Sequence, residues 1–374
     1  MAEIVIPRAL LPYDGRFGSG PAKIRHEALT ALGAAHNLMG TSHRQQPVKD
    51  LVASVQGQLA ELYALPTGYQ VVLGNGGATL FWDLAACSLI ERRAAFGVCG
   101  EFSRKFADSV AAAPFLDTPV CYEVEAGRSI VPTATPGCDT YAWAQNETST
   151  GAIAPVIRPA GADTDALVLI DATSAAGGMN ADIAATDAYY FAPQKNFGSD
   201  GGLWLAFLSP AAWERAERIK AAKKRWMPPL LDLTLATANS AQNQTYNTPA
   251  IATLFLLDQQ LRWMLAQGGM PFITTRVGES SSHIYAWAEA NPLATPFVAD
   301  PTMRSPVVCT IDFDESVATA TLLQVLRANG VVDIAPYRSL GRNQLRIGVY
   351  AAVNPDDVRA LTTCIDYVLE RLTA

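Results

Sequence analysis

Short apolar runs alternate with stretches of helical periodicity from about residue 69 to residue 210. The strand candidates there are QVVL, AFGVC, VCYEV, TYAWAQ, ALVLID, AYYFA and GLWLAFL. Near-continuous apolar runs such as ALVLI are typical of parallel strands whose sheet is covered by helices on both faces. The pattern therefore predicts an α/β fold with a large, doubly wound, mainly parallel sheet.

The pattern changes after a long helical segment at 249–267. Beyond it come the apolar run VVCTIDF, a helical stretch at 315–329, the runs VVDI and LRIGVY, and a closing helix at 355–372. We interpret this part of the chain as a smaller α+β unit.

The length of 374 residues fits about two domains. We predict a large domain at 16–266 and a small domain at 267–374. The N-terminal arm at 1–15 is expected to complete the small domain.

Charge and hydropathy exclude several classes of partner. The net charge is −7 and no basic stripe is sustained, which argues against nucleic acid. The one basic run, KAAKKRW at 220–226, is interpreted as the solvated face of a helix. No segment has the apolar length needed to cross a bilayer, and the N-terminus lacks the apolar part of a signal peptide. We therefore expect a cytoplasmic protein with no membrane partner.

The cysteines and histidines give no sign of a metal site. The six cysteines contain no CxxC pair, and the four histidines lack metal-ligand spacing. We expect neither disulfides nor a bound metal, and we interpret the cysteines as buried thiols.

One lysine stands between an apolar run and a glycine-rich turn, in FAPQKNFGSDGG at 191–202. Most lysines of soluble proteins are solvated and have no specific role. Lys195, however, follows a predicted strand, and ligands bind in open α/β sheets at the carboxyl ends of strands. Its position makes Lys195 a candidate for a reactive amine.

A second glycine-rich turn begins where the first central strand is predicted to end, in LGNGGATLFW. Glycines let the backbone approach a phosphate, and free N–H groups at a helix start and the Thr79 hydroxyl can bind it. The turn is neither GxGxxG nor a P-loop, which contains a lysine. A tight strand-to-helix connection without a ligand explains it equally well.

Three more candidate residues lie at predicted strand ends. Asp171 closes LVLID, Thr148 follows TYAWAQ within NETSTG, and Phe102 follows AFGVCGE. Taken singly, the aspartate can cap a helix, the threonine can close a turn, and the phenylalanine can belong to the core.

Taken together with Lys195 and the LGNGGAT turn, these residues match the needs of one cofactor, pyridoxal 5′-phosphate. That cofactor needs a lysine that bonds to its aldehyde, an acid for its pyridine nitrogen and a cradle for its phosphate. Its ring also needs an apolar or aromatic face and a hydrogen-bond donor to its oxygen.

The ordered motifs resemble the phosphoserine aminotransferase family, in the class V branch of fold-type I enzymes. They are FGSGPAKIR, GTSHR, GNGGAT, NETSTG, DATSAAGG, APQKNFGSDGG, NTPAIATL and LRIGVY. The resemblance implies a homodimer with active sites shared at the subunit interface. It also implies small-molecule substrates, L-glutamate and 3-phosphohydroxypyruvate, which give 2-oxoglutarate and O-phospho-L-serine. Many members also transaminate the analogous 4-phosphohydroxy-L-threonine intermediate of pyridoxine synthesis.

The resemblance assigns roles residue by residue. Cofactor binding falls to Gly77, Ala78, Thr79, Phe102, Thr148, Asp171, Gln194 and Lys195, joined by Asn247 and Thr248 of the other subunit. The catalytic residues would be Lys195 and Asp171. Substrate anions would meet His43, Arg44, Arg338 and Arg346.

Physical chemistry adds to two of these assignments. A desolvated lysine near cationic groups has a lowered pKa, which suits Lys195 to act as nucleophile and as base. A surface salt bridge would explain each arginine alone. Arg346 differs because it lies within an apolar strand-like run, where an unpaired charge is costly.

Three positions depart from the family pattern. Many members have a tryptophan in place of Phe102, an arginine in place of Ala78 and a histidine in place of Tyr337. These departures bear on how a phosphoester is recognised.

Two other interpretations stay open at this point. One is a different class V enzyme, such as an alanine or serine–glyoxylate aminotransferase or a cysteine desulfurase. A desulfurase needs a reactive cysteine on a mobile loop, whereas Cys309 lies inside the predicted strand VVCTIDF. The other is a noncatalytic α/β ligand-binding protein that uses Lys195 only as a charge for phosphate.

Overall fold

The structure is a computed structural model that describes residues 4–372. The helices are α1 His26–Ala34, α2 Gln46–Leu62, α3 Gly77–Ser88, α4 Glu101–Ala111, α5 Pro210–Ala222, α6 Leu233–Ser240, α7 Ile251–Ala266, α8 Gly269–Ala290, α9 Thr319–Ala328 and α10 Pro355–Leu372. The strands are β1 Gln70–Asn75, β2 Ala94–Val98, β3 Val120–Glu123, β4 Thr140–Ala144, β5 Asn146–Glu147, β6 Ala152–Ile153, β7 Leu167–Asp171, β8 Ala188–Phe191, β9 Leu203–Leu208, β10 Ala294–Pro296, β11 Val308–Phe313 and β12 Gln344–Gly348.

The central sheet has seven strands in the order β1-β9-β8-β7-β4-β2-β3. Strands β8, β7, β4, β2 and β3 run parallel to one another, and β9 is antiparallel to both of its neighbours. All seven runs predicted as strands of this domain form the sheet. The predicted α/β class with a mainly parallel sheet is confirmed.

Helices cover both faces of the sheet, and alternate residues of each strand point to opposite faces. On one face, Val168 and Ile170 of β7 pack in a core with residues of α2 and α7. On the other face, Leu167 and Leu169 pack in a core with residues of α3 and α4. Each such buried aliphatic side chain stabilises the fold by roughly 1.5–3 kcal/mol. The continuous apolar runs therefore reflect burial on both sides.

A second, antiparallel sheet in the order β10-β11-β12 lies in the C-terminal part of the chain. It shares a core with α9, α10 and two residues of the N-terminal segment, Ile6 and Phe17. The backbone N–H of Ile6 donates to Asn329 Oδ1 at 2.9 Å. The division into domains at 16–266 and 267–374 stays a prediction, and part of the arm at 1–15 and the last two residues lie outside the described residues.

Two local interpretations of the sequence need correction. The run VVDI forms no strand of the small sheet: Val332 makes only an isolated bridge to Arg16, because Asp333 has a φ of 66° that interrupts the extended backbone. The basic run is helical only to Ala222, where α5 ends at a left-handed Lys223. Beyond that end, the Arg225 guanidinium donates to backbone carbonyls that follow α3, including that of Ile90 at 2.8 Å.

Candidate active site

A cavity of about 310 Å³ lies at the carboxyl ends of the central strands. Eight of the fourteen predicted site residues line it: Ala78, Thr79, Phe102, Thr148, Asp171, Gln194, Lys195 and Arg346. Seven of them come together because they follow parallel strands, whose carboxyl ends share one edge of the sheet. The eighth, Arg346, lies on β12 of the small sheet. Other parts of the wall include residues 19–21 of the FGSGP motif, Asn146, Thr173 and Tyr337.

Lys195 is buried in this cavity, with 7% of its surface exposed. Its Nζ donates to Thr148 Oγ1 at 2.8 Å and lies 5.3 Å from the centre of the Phe102 ring. Burial lowers the pKa of Lys195 to about 8; Arg346 adds to this effect, whereas Asp171 opposes it. Near neutral pH the side chain is therefore much closer to its neutral, nucleophilic form than an ordinary lysine.

Asp171 ends β7 and accepts three hydrogen bonds. The backbone N–H of Thr173 donates to Oδ1 at 2.9 Å. The Trp82 indole and the Tyr190 hydroxyl donate to Oδ2 at 3.3 and 3.2 Å. Burial raises the pKa of Tyr190 well above its ordinary value, so this hydroxyl stays protonated and can donate. The carboxylate is thus held in one orientation at the cavity wall.

Sequence reasoning missed Trp82 and Tyr190. Tyr190 pairs with Asp171 across the parallel β7–β8 ladder. Aligning the two apolar runs as neighbouring strands could therefore have placed Tyr190 beside Asp171. Trp82 depends on how α3 packs across the sheet, and no local pattern indicated that contact.

The glycine turn leads directly into α3. Gly76 and Gly77 have φ values of 113° and 71°, which a residue with a side chain rarely adopts. The residue before α3, Gly76, provides no side-chain cap, and the described residues show no such cap for this helix. The N–H groups of Gly77, Ala78 and Thr79 are therefore placed where a helix start binds an anion such as phosphate.

Arg346 reaches the cavity from β12 of the small sheet. Its Nη1 donates to the backbone carbonyl of Thr148 at 3.2 Å, and its guanidinium carbon lies 5.1 Å from the centre of the Tyr337 ring. The Nε is buried and has no hydrogen-bond partner in the part of the chain that the structure describes. Tyr337 also makes an edge contact with Phe102, with ring centroids 5.7 Å apart. The Tyr337 ring thus contacts both Arg346 and Phe102. This is the position at which many members of the family that the motifs resemble have a histidine.

Four other predicted residues form a separate group. His43 Nδ1 and Thr248 Oγ1 are 3.2 Å apart, and Arg44 Nη1 donates to Gln244 Oε1 at 3.5 Å. Asn75 Nδ2 donates to Asn247 Oδ1 at 2.8 Å. None of these residues lines the Lys195 cavity of the same chain. Their predicted role in the partner's site stays a prediction.

Arg338 lies in an exposed turn outside the cavity wall. Unlike Arg346, Arg338 is thus not among the residues that line the cavity around Lys195. Its predicted contact with substrate also stays a prediction.

The cavity fits pyridoxal 5′-phosphate in its chemistry. Four buried polar atoms of its wall have no hydrogen-bond partner among residues 4–372: Asn146 Oδ1, Thr173 Oγ1, Gln194 Oε1 and Arg346 Nε. Phe102 offers an aromatic face, α3 offers an uncapped helix start, and Lys195 and Asp171 offer an amine and an acid. Within residues 4–372, no group of three or more potential ligands could hold a metal ion.

The cysteines lie outside the cavity wall. Cys309 is fully buried in β11, and burial raises the pKa of its thiol to about 12. None of the six cysteines lines the cavity. The arrangement does not favour the desulfurase alternative.

Gly20 packs directly against Lys195. A Cβ built at Gly20 would lie 2.9 Å from Lys195 Cε, and the φ of Gly20 is 135°. Because the lysine side chain is the flexible partner, we expect Gly20→Ala to displace the amine and to raise the dissociation constant for pyridoxal phosphate by about tenfold or more. An absorbance titration of cofactor-free protein measures this.

Gly330→Ala is the matched control, since Gly330 also has a positive φ, of 88°, but a Cβ there meets nothing within 4 Å. Both variants should lose some stability, and only Gly20→Ala should bind the cofactor more weakly. Equal affinities in the two variants would show that Gly20 does not position the lysine.

Comparison with known proteins agrees with this chemistry. The Aminotransferase class-V family model matches residues 131–360. A protein of Mycolicibacterium vanbaalenii named putative phosphoserine aminotransferase is 58% identical over 373 residues, which cover 100% of both chains. A phosphoserine aminotransferase of a Nocardioides species is 58% identical over 369 residues and 98% of both chains.

Among solved structures, the chain resembles a phosphoserine aminotransferase from Cytophaga hutchinsonii. The TM-score is 0.86 at 22% sequence identity, over 96% of this chain and 99% of that one. At this level of identity the likeness concerns the fold. No helix within the described residues, 4–372, is both long enough and apolar enough to cross a membrane.

Proposed function

This chain belongs to the class-V aminotransferases, and we propose that it exchanges an amino group between L-glutamate and 3-phosphohydroxypyruvate, giving 2-oxoglutarate and O-phospho-L-serine. It is an enzyme with pyridoxal 5′-phosphate as its cofactor. The observation that carries the proposal is the buried Lys195 amine facing, in one cavity, the partly unpaired guanidinium of Arg346. Support for the substrates comes from the full-length relatives named above.

The proposal extends to the setting of the reaction. We place it in cytoplasmic serine biosynthesis, and we include 4-phosphohydroxy-L-threonine of pyridoxine biosynthesis among the substrates. The basis is the resemblance of the ordered motifs to the phosphoserine aminotransferase family.

The protein's own groups account for the proton chemistry. The bound cofactor supplies an aldehyde that reacts with amines and a ring that accepts electrons from the substrate Cα. Lys195, with its pKa lowered to about 8 by burial, can be neutral and so can take the proton from that Cα. Thr148 holds the amine by the 2.8 Å hydrogen bond. Asp171, fixed by its three donors, would pair with the pyridine nitrogen and keep it protonated.

The substrate anions would be divided between two groups of residues. We assign the α-carboxylate common to both amino donors to Arg346, because a guanidinium fork matches a carboxylate bidentately. The distal phosphate or γ-carboxylate is assigned to Arg44 with His43. Since these two residues do not line the cavity of their own chain, the assignment requires a homodimer in which they serve the partner's site.

The test of the proposed function is kcat/KM for a series of amino donors. O-phospho-L-serine with 2-oxoglutarate should be the best pair, and glutamate should be the donor for 3-phosphohydroxypyruvate. L-alanine and L-serine should be poor donors because they lack a distal anion. Preferred use of alanine, or of serine with glyoxylate, would assign the chain to another class-V activity.

Hybrid dimers test whether the sites are shared. One parent carries Lys195→Ala and the other carries both Asn247→Ala and Thr248→Ala, so each parent is expected to be inactive or nearly so. If Asn247 and Thr248 serve the partner's site, each hybrid contains one site with both lesions and one intact site. Mixing the parents should therefore restore activity, up to half of the wild-type value per hybrid dimer.

Subunit exchange must be shown independently, with two differently tagged parents. The control mixture contains the same Lys195→Ala parent and a Gly330→Ala parent, which keeps its own site. Proven exchange without recovered activity in the test mixture would contradict sharing between subunits.

A further inference from the structure

Glu147 of the NETSTG motif is a fully buried carboxylate, with 0% of its surface exposed. Its Oε1 accepts hydrogen bonds from Phe102 N, Ser149 N and Ser149 Oγ at 3.3, 3.2 and 2.6 Å. Its Oε2 accepts from Ser103 N and Ser103 Oγ at 3.0 and 2.9 Å. All five donors are neutral groups. A buried charge is costly unless it is satisfied in this way, so the chain devotes several groups to holding it.

The carboxylate closes the N-terminus of α4. Gly100 precedes the helix and has no side chain that could cap it. The Glu147 carboxylate accepts hydrogen bonds from the backbone N–H groups of Phe102 and Ser103. Ser149 Oγ accepts one from Glu101 N at 3.1 Å. The first three N–H groups of α4 are thus satisfied by one loop.

The space for this contact depends on Gly100. A Cβ at Gly100 would collide with Cγ of Glu147 and with Oγ of Ser149. Helix α3 differs, because its start at the same cavity has no side-chain cap. One helix start is therefore closed by the protein's own anion, and the other is left available for a ligand anion.

Two residues of the candidate site, Phe102 and Thr148, depend on this junction. Phe102 is the second residue of α4, and its ring centre lies 5.3 Å from Lys195 Nζ. Thr148 follows Glu147 in the chain; its Oγ1 accepts from Lys195 Nζ and its carbonyl accepts from Arg346. The carboxylate itself does not line the cavity.

We propose that Glu147 is a positioning residue of this active site, whose carboxylate fixes the start of α4 on the NETSTG loop and so holds Phe102 and Thr148 against Lys195. The proposal rests on the proposed function, because it takes Lys195 to be the amine that binds the cofactor. The negative charge of Glu147 also partly opposes the lowering of the Lys195 pKa that burial causes.

Glu147→Gln tests the proposal with little change in shape. Both oxygens of Glu147 accept hydrogen bonds from backbone N–H groups. In the glutamine variant an amide nitrogen replaces one of these oxygens, so two donors face each other and one hydrogen bond is lost. We expect the dissociation constant for pyridoxal phosphate to rise by about tenfold or more. It is measured by absorbance titration of cofactor-free protein, at a temperature where every variant is folded.

Asp187→Asn is the matched control. Asp187 is a second buried carboxylate, 2% exposed, which accepts from Val168 N at 2.8 Å and Ser209 Oγ at 2.7 Å and pairs with Arg158. It lies before β8, at the end of that strand away from the cavity. Asp187→Asn should reduce the free energy of unfolding and change the cofactor dissociation constant by less than about twofold.

Ser149→Ala keeps the test decisive if Glu147→Gln does not fold. It removes one donor to the carboxylate and should weaken cofactor binding in the same direction, by a smaller factor. Unchanged affinity in the folded variants, or an equal loss in Asp187→Asn, overturns the positioning role. Failure of the wild-type protein to bind pyridoxal phosphate would instead overturn the proposed function.

Discussion

Lys195→Ala is expected to fold and yet to lose transamination by several orders of magnitude. The substitution removes the nucleophile and the proton carrier together, and no other group in the cavity wall offers an amine. Asp171, Phe102 and the start of α3 remain, so the variant should still retain pyridoxal phosphate noncovalently. Steady-state rates and the absorbance spectrum of the purified variant measure both expectations.

Lys105→Ala provides the control for this experiment. Lys105 is near the same aromatic ring, 5.9 Å from the centre of Phe102, but it is largely exposed and paired with Glu101 at 3.1 Å. Its removal should leave most of the activity. Near-native turnover of Lys195→Ala without an added amine would show that another group carries the chemistry.

Arg346→Lys should impair every amino donor, by about one to two orders of magnitude in kcat/KM. Lysine keeps the positive charge but loses the paired, planar hydrogen bonds that a carboxylate accepts from a guanidinium. The guanidinium is also held in place by Thr148 O and the Tyr337 ring, contacts that an ammonium cannot reproduce in the same geometry. The measurement is kcat/KM for phosphoserine, glutamate and alanine.

Two variants make this result specific. Arg342→Lys changes an arginine just before β12 whose partner is Asp312 at the surface, and it should leave all three donors nearly unaffected. Arg44→Ala should impair phosphoserine and glutamate much more than alanine, which has no distal anion. Equal losses for alanine and phosphoserine in Arg44→Ala would exclude a distal-anion role for that residue.

The central sheet could be predicted from the sequence because each of its strands depends mainly on a contiguous run of residues. Each of the seven strands is an apolar run, and β4, β7 and β8 are buried along their whole length. Once the strands are parallel, residues that follow them must meet at one edge. Lys195, Asp171, Thr148 and Phe102 could be brought together by that argument alone.

The remaining features depend on geometry that no local pattern encodes. Trp82 reaches Asp171 only through the packing of α3 on the sheet. In the sequence, Glu147 has the pattern of an ordinary polar loop residue. It is buried because the first turn of α4 lies against it. The run VVDI has the apolar character of a strand, but the backbone of Asp333 interrupts it. No local pattern shows which chain would provide each residue of the proposed shared site.

Mapping where the cofactor attaches shows whether the buried Lys195 amine is the chemical centre of this site. The protein loaded with pyridoxal 5′-phosphate is reduced with borohydride, which makes the carbon–nitrogen link between lysine and cofactor permanent, and is then digested and analysed by mass spectrometry. The pyridoxyl phosphate group should lie on the peptide that contains FAPQKNFGSDGG, at Lys195, in a stoichiometry of about one per chain. Labelling of a different lysine, such as Lys105, or no labelling of a protein that is fully loaded, would contradict the account.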